Sequence, residues 1–416
     1  MKILHTSDWH LGRSLHGRAR YAEFEGFLAW LLEALEQHAI DVLLVAGDIF
    51  DTTTPTHRAQ ALYYQFLARV AQTGCRHVVI IAGNHDSPSL LEAPQSLLEA
   101  LQVHVVARAD QGPEHEIVLL KDARNHPELL VCAVPYLRDR DVRAPRAGET
   151  LADKEQQLKA GIREHYEAVV TAACQLGEQL THPVPLVAMG HLFAAGAQTV
   201  AGDGVRDLYV GSLAHLTADI FPSAIDYVAL GHLHVPQSVG GNPAIRYSGS
   251  PLPMGFGEAD HQKSVCVVSM TPDAARSASW NTRIATVPIP RFQALKRLQG
   301  NWDDLFRQLQ ELVATRQSWW VEVVIDAPDV VADWRGRLDD VVRDSNVEVL
   351  RVCNHRRAAQ TLAPHQPDET LDDLTPDQVF ERCLQAHDVP EAQWAALFET
   401  YHEVLHTLYQ ADSKAE

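Results

Sequence analysis

The chain has few cysteines for its 416 residues, and the six it has lack the close pairing of a metal-binding or redox motif. Three of them, Cys75, Cys132 and Cys266, lie within or beside apolar runs, which is typical of buried free thiols. Neither disulfides nor a structural zinc site are therefore expected. Their absence favours a reducing compartment, so we expect a cytoplasmic protein.

The sequence also lacks any long apolar run and any excess of positive charge. No stretch approaches the ~18 apolar residues of a membrane span, and only Ile3 and Leu4 precede the first polar residues, so no secretory signal is expected. The net charge of −19 argues against a protein that holds DNA through its overall field, but it does not exclude a local basic groove or a cationic partner. Arg13, Arg18 and Arg20 form either a solvated loop or a surface that steers phosphate.

The length predicts more than one domain. At 416 residues the chain exceeds the ~250–300 residues at which single cores stop growing. Residues 1–275 alternate strand-like runs with helical stripes, the strongest of which runs from Tyr21 to Leu35. Antiparallel strands are expected at residues 103–106, 117–120 and 129–134. This mixture of parallel and antiparallel strands predicts two sheets packed as a sandwich.

The pattern changes after Asp273. Strand, helix, strand, helix and strand then follow and predict a small α+β domain, with elements at residues 284–288, 302–312, 319–325, 331–342 and 347–352. The acidic residues 361–377 are expected to form a linker. Beyond it, one apolar helix face is expected to dock onto a partner, because little chain remains to bury it; it comprises Trp394, Leu397, Phe398, Tyr401, Leu405 and Leu408.

Five apolar runs each end in residues that bind metals. The endings are Asp8-Trp9-His10, Gly47-Asp48, Gly83-Asn84-His85-Asp86, Gly190-His191 and Gly231-His232-Leu233-His234. Ligands of open α/β sheets bind where loops leave the carboxyl ends of strands, so we expect all five endings on one rim of the sheet. One such fragment is weak support in a chain with 22 histidines, but five in order are highly specific.

The residue types favour a dinuclear hydrolytic centre. Carboxylate, carboxamide and imidazole groups without thiolate suit Mn²⁺, Mg²⁺, Fe or Zn²⁺. Two cations ~3.5–4 Å apart can clamp a phosphoryl group and lower the pKa of a water molecule. One carboxylate between the cations would offset their repulsion, and Asp48 is the natural bridge.

These motifs resemble those of the calcineurin-like metallophosphoesterases and, within that superfamily, the bacterial SbcD family, the nuclease subunit of the SbcCD DNA-repair complex. The resemblance is carried by residues 3–12, 45–51, 82–87, 135–138 and 230–234, and it extends over essentially the whole chain. It implies a four-layer α/β/β/α metallophosphoesterase sandwich over residues 1–275. It also implies a small α+β capping domain over residues 276–355. A C-terminal helical segment over residues 356–416 would follow and bind a partner.

The resemblance also implies a role for each motif residue. One metal would be held by Asp8, His10, Asp48 and His234, and the other by Asp48, Asn84, His191 and His232. His85 would act as general acid towards the departing 3′ oxygen, with Asp86 fixing its tautomer. Asp51 matches the family pattern, and it either caps its loop or contacts the catalytic residues.

The family's activity and partners are implied in the same way. Its members are Mn²⁺-dependent DNA nucleases, with Mg²⁺ the alternative metal, and they act in repair, replication and recombination. They are ATP-dependent 3′→5′ double-strand exonucleases and endonucleases at hairpins and blocked ends. ATP would be bound by the partner ATPase SbcC, in a heterotetramer in which the C-terminal helices bind the base of the SbcC coiled coil. Homodimer contacts would come from helices near residues 58–72 and 88–101, and no membrane is involved.

Two other functions remain open at this point. A phosphoprotein phosphatase or a cyclic-nucleotide phosphodiesterase would share the fold, but protein phosphatases of this superfamily usually carry Arg-Gly where this chain has Thr52-Thr53, and residues 276–416 would be unexplained. A scaffold for an ATPase is suggested by the apolar helix at 394–408. The intact ligand set argues against scaffolding as its sole role.

Overall fold

A computed structural model of the protein describes residues 1–144, 148–194, 217–273, 279–325, 334–354 and 376–386, together with residues 394, 397, 398 and 400–402. The chain divides into two compact units, Met1–Lys296 and Arg297–Glu416. Among the described residues, every helix is too short or too polar for a transmembrane span.

Two six-stranded sheets form the centre of the described part of the first unit. The strands of this unit are β1 (Lys2–Thr6), β2 (Ser14–Leu15), β3 (Arg18–Ala19), β4 (Val42–Ala46), β5 (His77–Ile81), β6 (Val103–Val106), β7 (Ile117–Lys121), β8 (Pro127–Ala133), β9 (Leu186–His191), β10 (Tyr227–Gly231), β11 (Gln237–Val239), β12 (Asn242–Tyr247), β13 (Ser264–Pro272) and β14 (Trp280–Pro288). The helices are α1 (Tyr21–Gln37), α2 (His57–Val70), α3 (Pro88–Glu92), α4 (Gln95–Ala100), α5 (Asp139–Val142) and α6 (Leu151–Glu178). The first sheet has the order β14-β13-β1-β4-β5-β6, and the second has the order β11-β12-β10-β9-β8-β7.

Both sheets mix parallel and antiparallel pairs, as expected. The prediction that residues 103–106 form an antiparallel strand was wrong, because β6 pairs with β5 in parallel, with His104 opposite Val79. The reason is the connection through α3 and α4, since a helical crossover returns the chain in the same direction. The antiparallel pair of β7 and β8 is confirmed.

The alternation of side chains along the strands builds the layers. In β4, Leu43 and Val45 belong to the core that includes residues of α1 and α2, whereas Leu44 packs between the two sheets. The second sheet is covered on its outer face by α6, through residues such as Tyr166 and Val169. Because both faces of the strands are buried, their sequences are continuously apolar. The predicted four-layer sandwich is confirmed.

The carboxyl ends of five strands carry the metal-ligand motifs, but they do not belong to one sheet. The ends of β1, β4 and β5 come from the first sheet, and those of β9 and β10 come from the second. The expectation of a single rim on one sheet was wrong in this respect. The two rims still meet, because His191 at the end of β9 reaches the carbonyl of Ala46 at the end of β4, with 2.9 Å from Nδ1 to the oxygen.

A three-stranded sheet lies at the start of the second unit. Its strands are β15 (Ala294–Gly300), β16 (Trp319–Ile325) and β17 (Val347–Asn354), and α7 (Trp302–Ala314) and α8 (Trp334–Val342) lie between them in sequence. Residues 284–288 had been expected to form the first strand here. They belong instead to β14, which pairs with β13 along its whole length in the first unit. An alternating run shows which residues share a face but not which strand it pairs with.

The C-terminal residues are described only in part, beginning with α9 (Pro376–Ala386). Residues 361–375 of the expected linker lie outside the described residues, as do Leu405 and Leu408. Phe380 of α9 stacks on Tyr401 with ring centroids 4.1 Å apart and meets Phe398 edge-on at 5.1 Å. Part of the apolar face expected to await a partner therefore packs on α9, while Leu397 remains 37 % exposed.

Arg20 is a buried structural residue rather than part of a surface. Its Nε and Nη2 donate to the carboxylate of Glu23 at 2.7 and 2.8 Å, and its Nη1 donates to the carbonyl of Pro253 at 2.6 Å. The pair ties the start of α1 to the segment that follows β12. Arg20 is therefore neither a solvated loop residue nor a surface charge that could steer phosphate.

We predict that Arg20→Ala lowers the free energy of unfolding by about 3–5 kcal/mol, because it leaves the buried Glu23 carboxylate unpaired. Arg58→Ala is the matched control, since the Arg58–Glu25 pair is 59 % and 49 % exposed, and its loss should cost about 0–1 kcal/mol. Denaturant unfolding of both variants measures the difference. Equally small effects would contradict the structural role of Arg20.

Candidate metal centre

The motif loops bring their polar side chains together in the first unit. Those of Asp8, His10, Asp48, His85, His191 and His234 are buried, and none is more than 7 % exposed. Asn84 and His232 are partly exposed and lie at the open side of the group. Side chains from distant parts of the sequence therefore form one polar cluster inside an otherwise apolar sandwich.

The carboxylate of Asp48 lies between histidines from the two sheets. Its Oδ2 is 3.5 Å from His10 Nε2 and 3.4 Å from His191 Nε2. Its Oδ1 accepts a hydrogen bond from the backbone N–H of His85 at 2.9 Å. One oxygen atom thus lies close to two imidazoles, one from each sheet, as a carboxylate shared by two cations would.

One group of candidate ligands is formed by Asp8, His10 and His234, whose ligand atoms lie within 4.8 Å of one another. The Nε2 atoms of His10 and His234 are 3.2 Å apart. Two facing ring nitrogens can share only one proton between them, so a cation at this position would satisfy both lone pairs. Asp8 is held in place because its Oδ1 accepts the backbone N–H of His232 at 2.9 Å.

The second group surrounds Asn84. Its Oδ1 is 3.1 Å from both His191 Nε2 and His232 Nδ1. Asp8, Asp48 and His191 also have ligand atoms within 4.8 Å of one another. Asp8 therefore approaches both groups, although only Asp48 had been expected to be shared.

The backbone at the centre is strained. Asp8, His10, Asp48 and His232 all have positive φ angles, of 53°, 47°, 50° and 101°. Each such conformation costs of order 1–3 kcal/mol in a residue with a side chain and persists only where the surrounding structure enforces it. The enforcing contacts include hydrogen bonds from the Asp8 N–H to Gly47 O at 3.0 Å and from the His10 N–H to Asp48 O at 2.9 Å.

Glycine is required where the motif loops approach one another, within the first sheet and between the two sheets. A Cβ atom on Gly83 would overlap the carboxylate of Asp48, and one on Gly231 would overlap the carbonyl of Ala46. The glycines that precede the ligands in the sequence therefore serve the close packing of the loops.

Two histidines of the cluster are oriented by groups behind them. His191 Nδ1 donates to the Ala46 carbonyl, which directs Nε2 towards Asp48. His234 Nδ1 lies 3.5 Å from Oε1 of the fully buried Glu258. Metal-binding histidines usually have such a carbonyl or carboxylate partner on the second ring nitrogen.

Glu258 is itself held by a buried cation. Its Oε2 pairs with Nζ of Lys263, which also donates to the His234 carbonyl at 2.7 Å and to Ser250 Oγ at 2.9 Å. Neither Glu258 nor Lys263 is predicted by the sequence, because neither belongs to a motif with recognisable spacing. Burial and the attraction of Lys263 oppose each other at Glu258, and the attraction prevails and lowers the pKa of its carboxyl to about 2.

Asp51 connects His10 and His85 within the cluster. Its Oδ1 lies 3.4 Å from His10 Nδ1 and accepts a hydrogen bond from Arg13 Nη1 at 3.1 Å. Its backbone carbonyl accepts the Nδ1–H of His85 at 2.8 Å. Asp51 therefore contacts residues of the cluster through both its side chain and its backbone, and its carboxylate also engages Arg13.

The prediction that Asp86 fixes the tautomer of His85 was wrong. The Asp86 carboxylate accepts the backbone N–H groups of Ile49 at 3.1 Å, Phe50 at 3.0 Å and Gly83 at 2.9 Å. It thereby ties the loop after β4 to the loop after β5. Although Asp86 is adjacent to His85 in sequence, its carboxylate binds these N–H groups and not the His85 ring. The Asp51 carbonyl accepts the His85 Nδ1–H instead.

The charges of the cluster depend on one another. Burial disfavours a charged Asp48, but His191 and His10 outweigh it and hold the pKa of Asp48 well below its ordinary value. Burial likewise opposes a charged His191, but Asp48 prevails and raises the pKa of that imidazole to about 9. Burial and His191 together lower the pKa of His232 to about 3. A cation bound beside Asp48 would replace the proton of His191, since ligand imidazoles are neutral.

The donor set fits divalent cations. Carboxylate, carboxamide and imidazole atoms face one another at 3.1–3.5 Å, the described cluster contains no thiolate, and the other polar atoms of several ligands are already bonded. The fold and the site define a calcineurin-like metallophosphoesterase, which acts with divalent metals. Residues 1–155 match the family described as calcineurin-like phosphoesterase.

Comparison with known proteins defines the family more narrowly. The chain is 36 % identical to the SbcD component of the SbcCD nuclease of Escherichia coli over 98 % of both chains. The corresponding SbcD protein of Rhodobacter capsulatus is 35 % identical over 72 % of this chain and 71 % of the relative, and that of Bacillus subtilis is 32 % identical over 79 % and 80 %. Residues 291–388 match the family described as type 5 capsule protein repressor C-terminal domain. The chain belongs to the SbcD family and is a metal-dependent nuclease.

We predict that Glu258→Gln weakens Mn²⁺ binding by about 10–100-fold, because the carboxylate that orients His234 is lost while the side-chain shape is kept. Calorimetric titration of the full chain with Mn²⁺ measures the effect. Glu25→Gln, which changes an exposed carboxylate on α1, is the control and should leave binding unchanged. Glu258→Gln also breaks the ion pair with Lys263, and denaturant unfolding in the presence of chelator measures the stability lost in that way, apart from any loss of metal affinity. Unchanged Mn²⁺ affinity would contradict the role of Glu258.

Proposed function

We propose that the chain hydrolyses DNA phosphodiesters at a centre of two divalent cations, with Mn²⁺ the preferred metal and Mg²⁺ the alternative. The proposed ligands of one cation are Asp8, His10, Asp48 and His234, and those of the other are Asp48, Asn84, His191 and His232. The observation that carries the proposal is the position of Asp48 Oδ2, which faces His10 and His191 at 3.5 and 3.4 Å.

The chemistry divides between the metals and the chain. Bound cations would polarise the phosphodiester and lower the pKa of a water molecule that attacks it. The proposed general acid is His85, whose ring lies 4.8 Å from that of His10 at the edge of the cluster. Because the Asp51 carbonyl holds its Nδ1–H, the doubly protonated ring would give its second proton, from Nε2, to the departing 3′ oxygen and keep the proton on Nδ1.

Asp86 and Asp51 are proposed as positioning residues. Asp86 binds three backbone N–H groups of the loops that carry Asp48 and Asn84. Asp51 contacts His10 through its side chain and His85 through its carbonyl. Their role is to hold the ligands and the acid in a fixed relation, so that little reorganisation is needed during the reaction.

The finer activity is proposed from the resemblance to the SbcD family, and the relatives are named as subunits of a nuclease, SbcCD. We propose ATP-dependent 3′→5′ exonuclease activity on double strands and endonuclease activity at hairpins and blocked ends, in the cytoplasm. ATP would be bound by the SbcC ATPase in a heterotetramer. The net charge of −19 supports a partner that supplies much of the DNA-binding surface.

The proposed interfaces lie outside the centre. Residues 356–416 would bind SbcC, residues 276–355 would cap the nuclease domain of residues 1–275, and α2 with the α3–α4 region would form a homodimer. Leu97 of α4, which is 65 % exposed, lies within the proposed dimer region.

We predict that His85→Ala abolishes turnover and spares metal binding, because His85 donates a proton and does not hold a cation. A positioned acid contributes roughly 10²–10⁴-fold in rate. Single-turnover cleavage and Mn²⁺ titration of the same preparation check the two parts. His126→Ala, in an exposed turn, should match the unaltered chain, and full activity of His85→Ala would refute the assignment.

The proposed function is tested with an end-labelled DNA hairpin, incubated with the purified chain and Mn²⁺, Mg²⁺ or chelator, with and without the ATPase. We expect cleavage with Mn²⁺, none with chelator, and none by Asp48→Asn, which loses the shared carboxylate. Phosphopeptide and cyclic nucleotide serve as competing substrates. Hydrolysis of either of these without hairpin cleavage under any condition would refute the DNA nuclease function.

A further inference from the structure

A pocket of about 250 Å³ lies beside the candidate metal centre, on the same rim of the sandwich. Its walls come from the segment after β6, the start of α3 and the segment after β8. In the two sheets, β6 neighbours β5 and β8 neighbours β9, and β5 and β9 lead to Asn84 and His191. Adjacent strands are about 4.8 Å apart, so the pocket lies one strand further along both sheets.

Tyr136 joins the pocket to the centre. Its backbone N–H donates to the Ala82 carbonyl at 2.9 Å, which fixes the segment after β8 against the end of β5. Its ring lines the pocket and meets the His191 ring nearly edge-on, with centroids 6.3 Å apart. A ligand in the pocket would therefore lie one aromatic ring away from His191 of the candidate metal centre.

The pocket contains a cation that is available to a ligand. Three arginines and two aspartates line it. Arg108 lies 2.8 Å from Glu92, and the exposed Arg140 lies 3.9 Å from Asp141. Arg138 is partly buried, and among the described residues no carboxylate forms an ion pair with it. Asp110 and Asp141 also line the pocket, and the Asp141 carboxylate accepts the backbone N–H of Arg138 at 2.9 Å rather than its guanidinium. A half-buried guanidinium that forms no ion pair favours an anion, and its planar fork matches a phosphate.

Arg138 and Tyr136 also belong to a motif that the metal chemistry leaves without a role. Residues 135–138 are among the runs that resemble the family, yet none of them is a candidate ligand. The pocket is smaller than the ~300–1,000 Å³ of typical small-molecule sites. Its size suits one phosphate with its sugar rather than a whole separate ligand.

We infer that this pocket is a subsite for a DNA phosphate adjacent to the one being cleaved, with Arg138 as its ligand and Tyr136 against the sugar or base. The inference rests on the proposed DNA nuclease function and adds to it a residue that holds the substrate. Arg138 would bind the strand without contacting the reacting phosphate.

The test gives the full chain two substrates, a DNA hairpin that extends to the pocket and a small phosphodiester that does not. For Arg138→Ala we expect hairpin binding, measured by fluorescence anisotropy, to weaken about tenfold, as for a lost charge-assisted hydrogen bond. The slope of log K against log salt should fall in magnitude by about one, since one phosphate contact is lost. Hydrolysis of bis(p-nitrophenyl) phosphate with Mn²⁺ should be unchanged, because this small diester does not extend to Arg138. Arg138→Lys, which keeps the charge without the fork, should restore part of the binding and most of the salt slope.

Arg124→Ala is the matched control, because it removes one exposed positive charge in the turn between β7 and β8, at the opposite end of β8. Hairpin binding by Arg138→Ala equal to that of Arg124→Ala would overturn the subsite, and so would equal losses on both substrates, which would indicate a damaged centre. If the unaltered chain hydrolyses the small diester but neither binds nor cleaves the hairpin, the proposed DNA function itself fails. Hairpin cleavage that is insensitive to Arg138 overturns the subsite alone.

Discussion

The close contact between the rims of the two sheets is the constraint on which the site depends. His191 ends β9 in the second sheet, yet its ring is bonded to the carbonyl that ends β4 in the first. No room exists for a side chain at Gly83 or Gly231 where the loops meet. Because the rims are this close, a single Asp48 oxygen can face imidazoles from both sheets, and a slightly wider sandwich would separate the ligands.

The same closeness has an energetic consequence. It concentrates buried carboxylates and imidazoles in a low-dielectric region and holds four of their backbones at positive φ. Burying such groups is unfavourable unless they are paired, and strained backbone adds to the cost. The surrounding structure offsets part of it through Glu258 and Lys263 behind His234, Asp51 behind His10 and the three N–H bonds of Asp86. Divalent cations would offset more, which explains why a stable apolar sandwich retains a polar centre.

The fold was largely predictable because its strands are buried on both faces. Continuous runs such as Val42–Ala46 and His77–Ile81 have little alternative to a central strand. Pairing partners were less predictable. Residues 284–288 were expected in the small domain and lie in the first sheet, and β6 was expected to be antiparallel. An exposed or half-buried strand has a side-chain pattern that satisfies several partners equally well, so long-range packing makes the choice.

The sequence by itself identified the candidate ligand residues, because metal chemistry demands particular donor atoms and these follow directly after apolar strands. It also predicted two sheets packed as a sandwich, through the mixture of parallel and antiparallel strands, whereas the four-layer arrangement was implied by the resemblance to the family. Only the tertiary structure decided that the ligands come from two sheets, that Asp51 rather than Asp86 holds His85, and that Glu258 supports His234. These relations join residues as far apart as His10 and His234, and neighbours in sequence such as His85 and Asp86 point in different directions. Contacts of this kind arise from the packing of loops, which leaves no periodic signal in the chain.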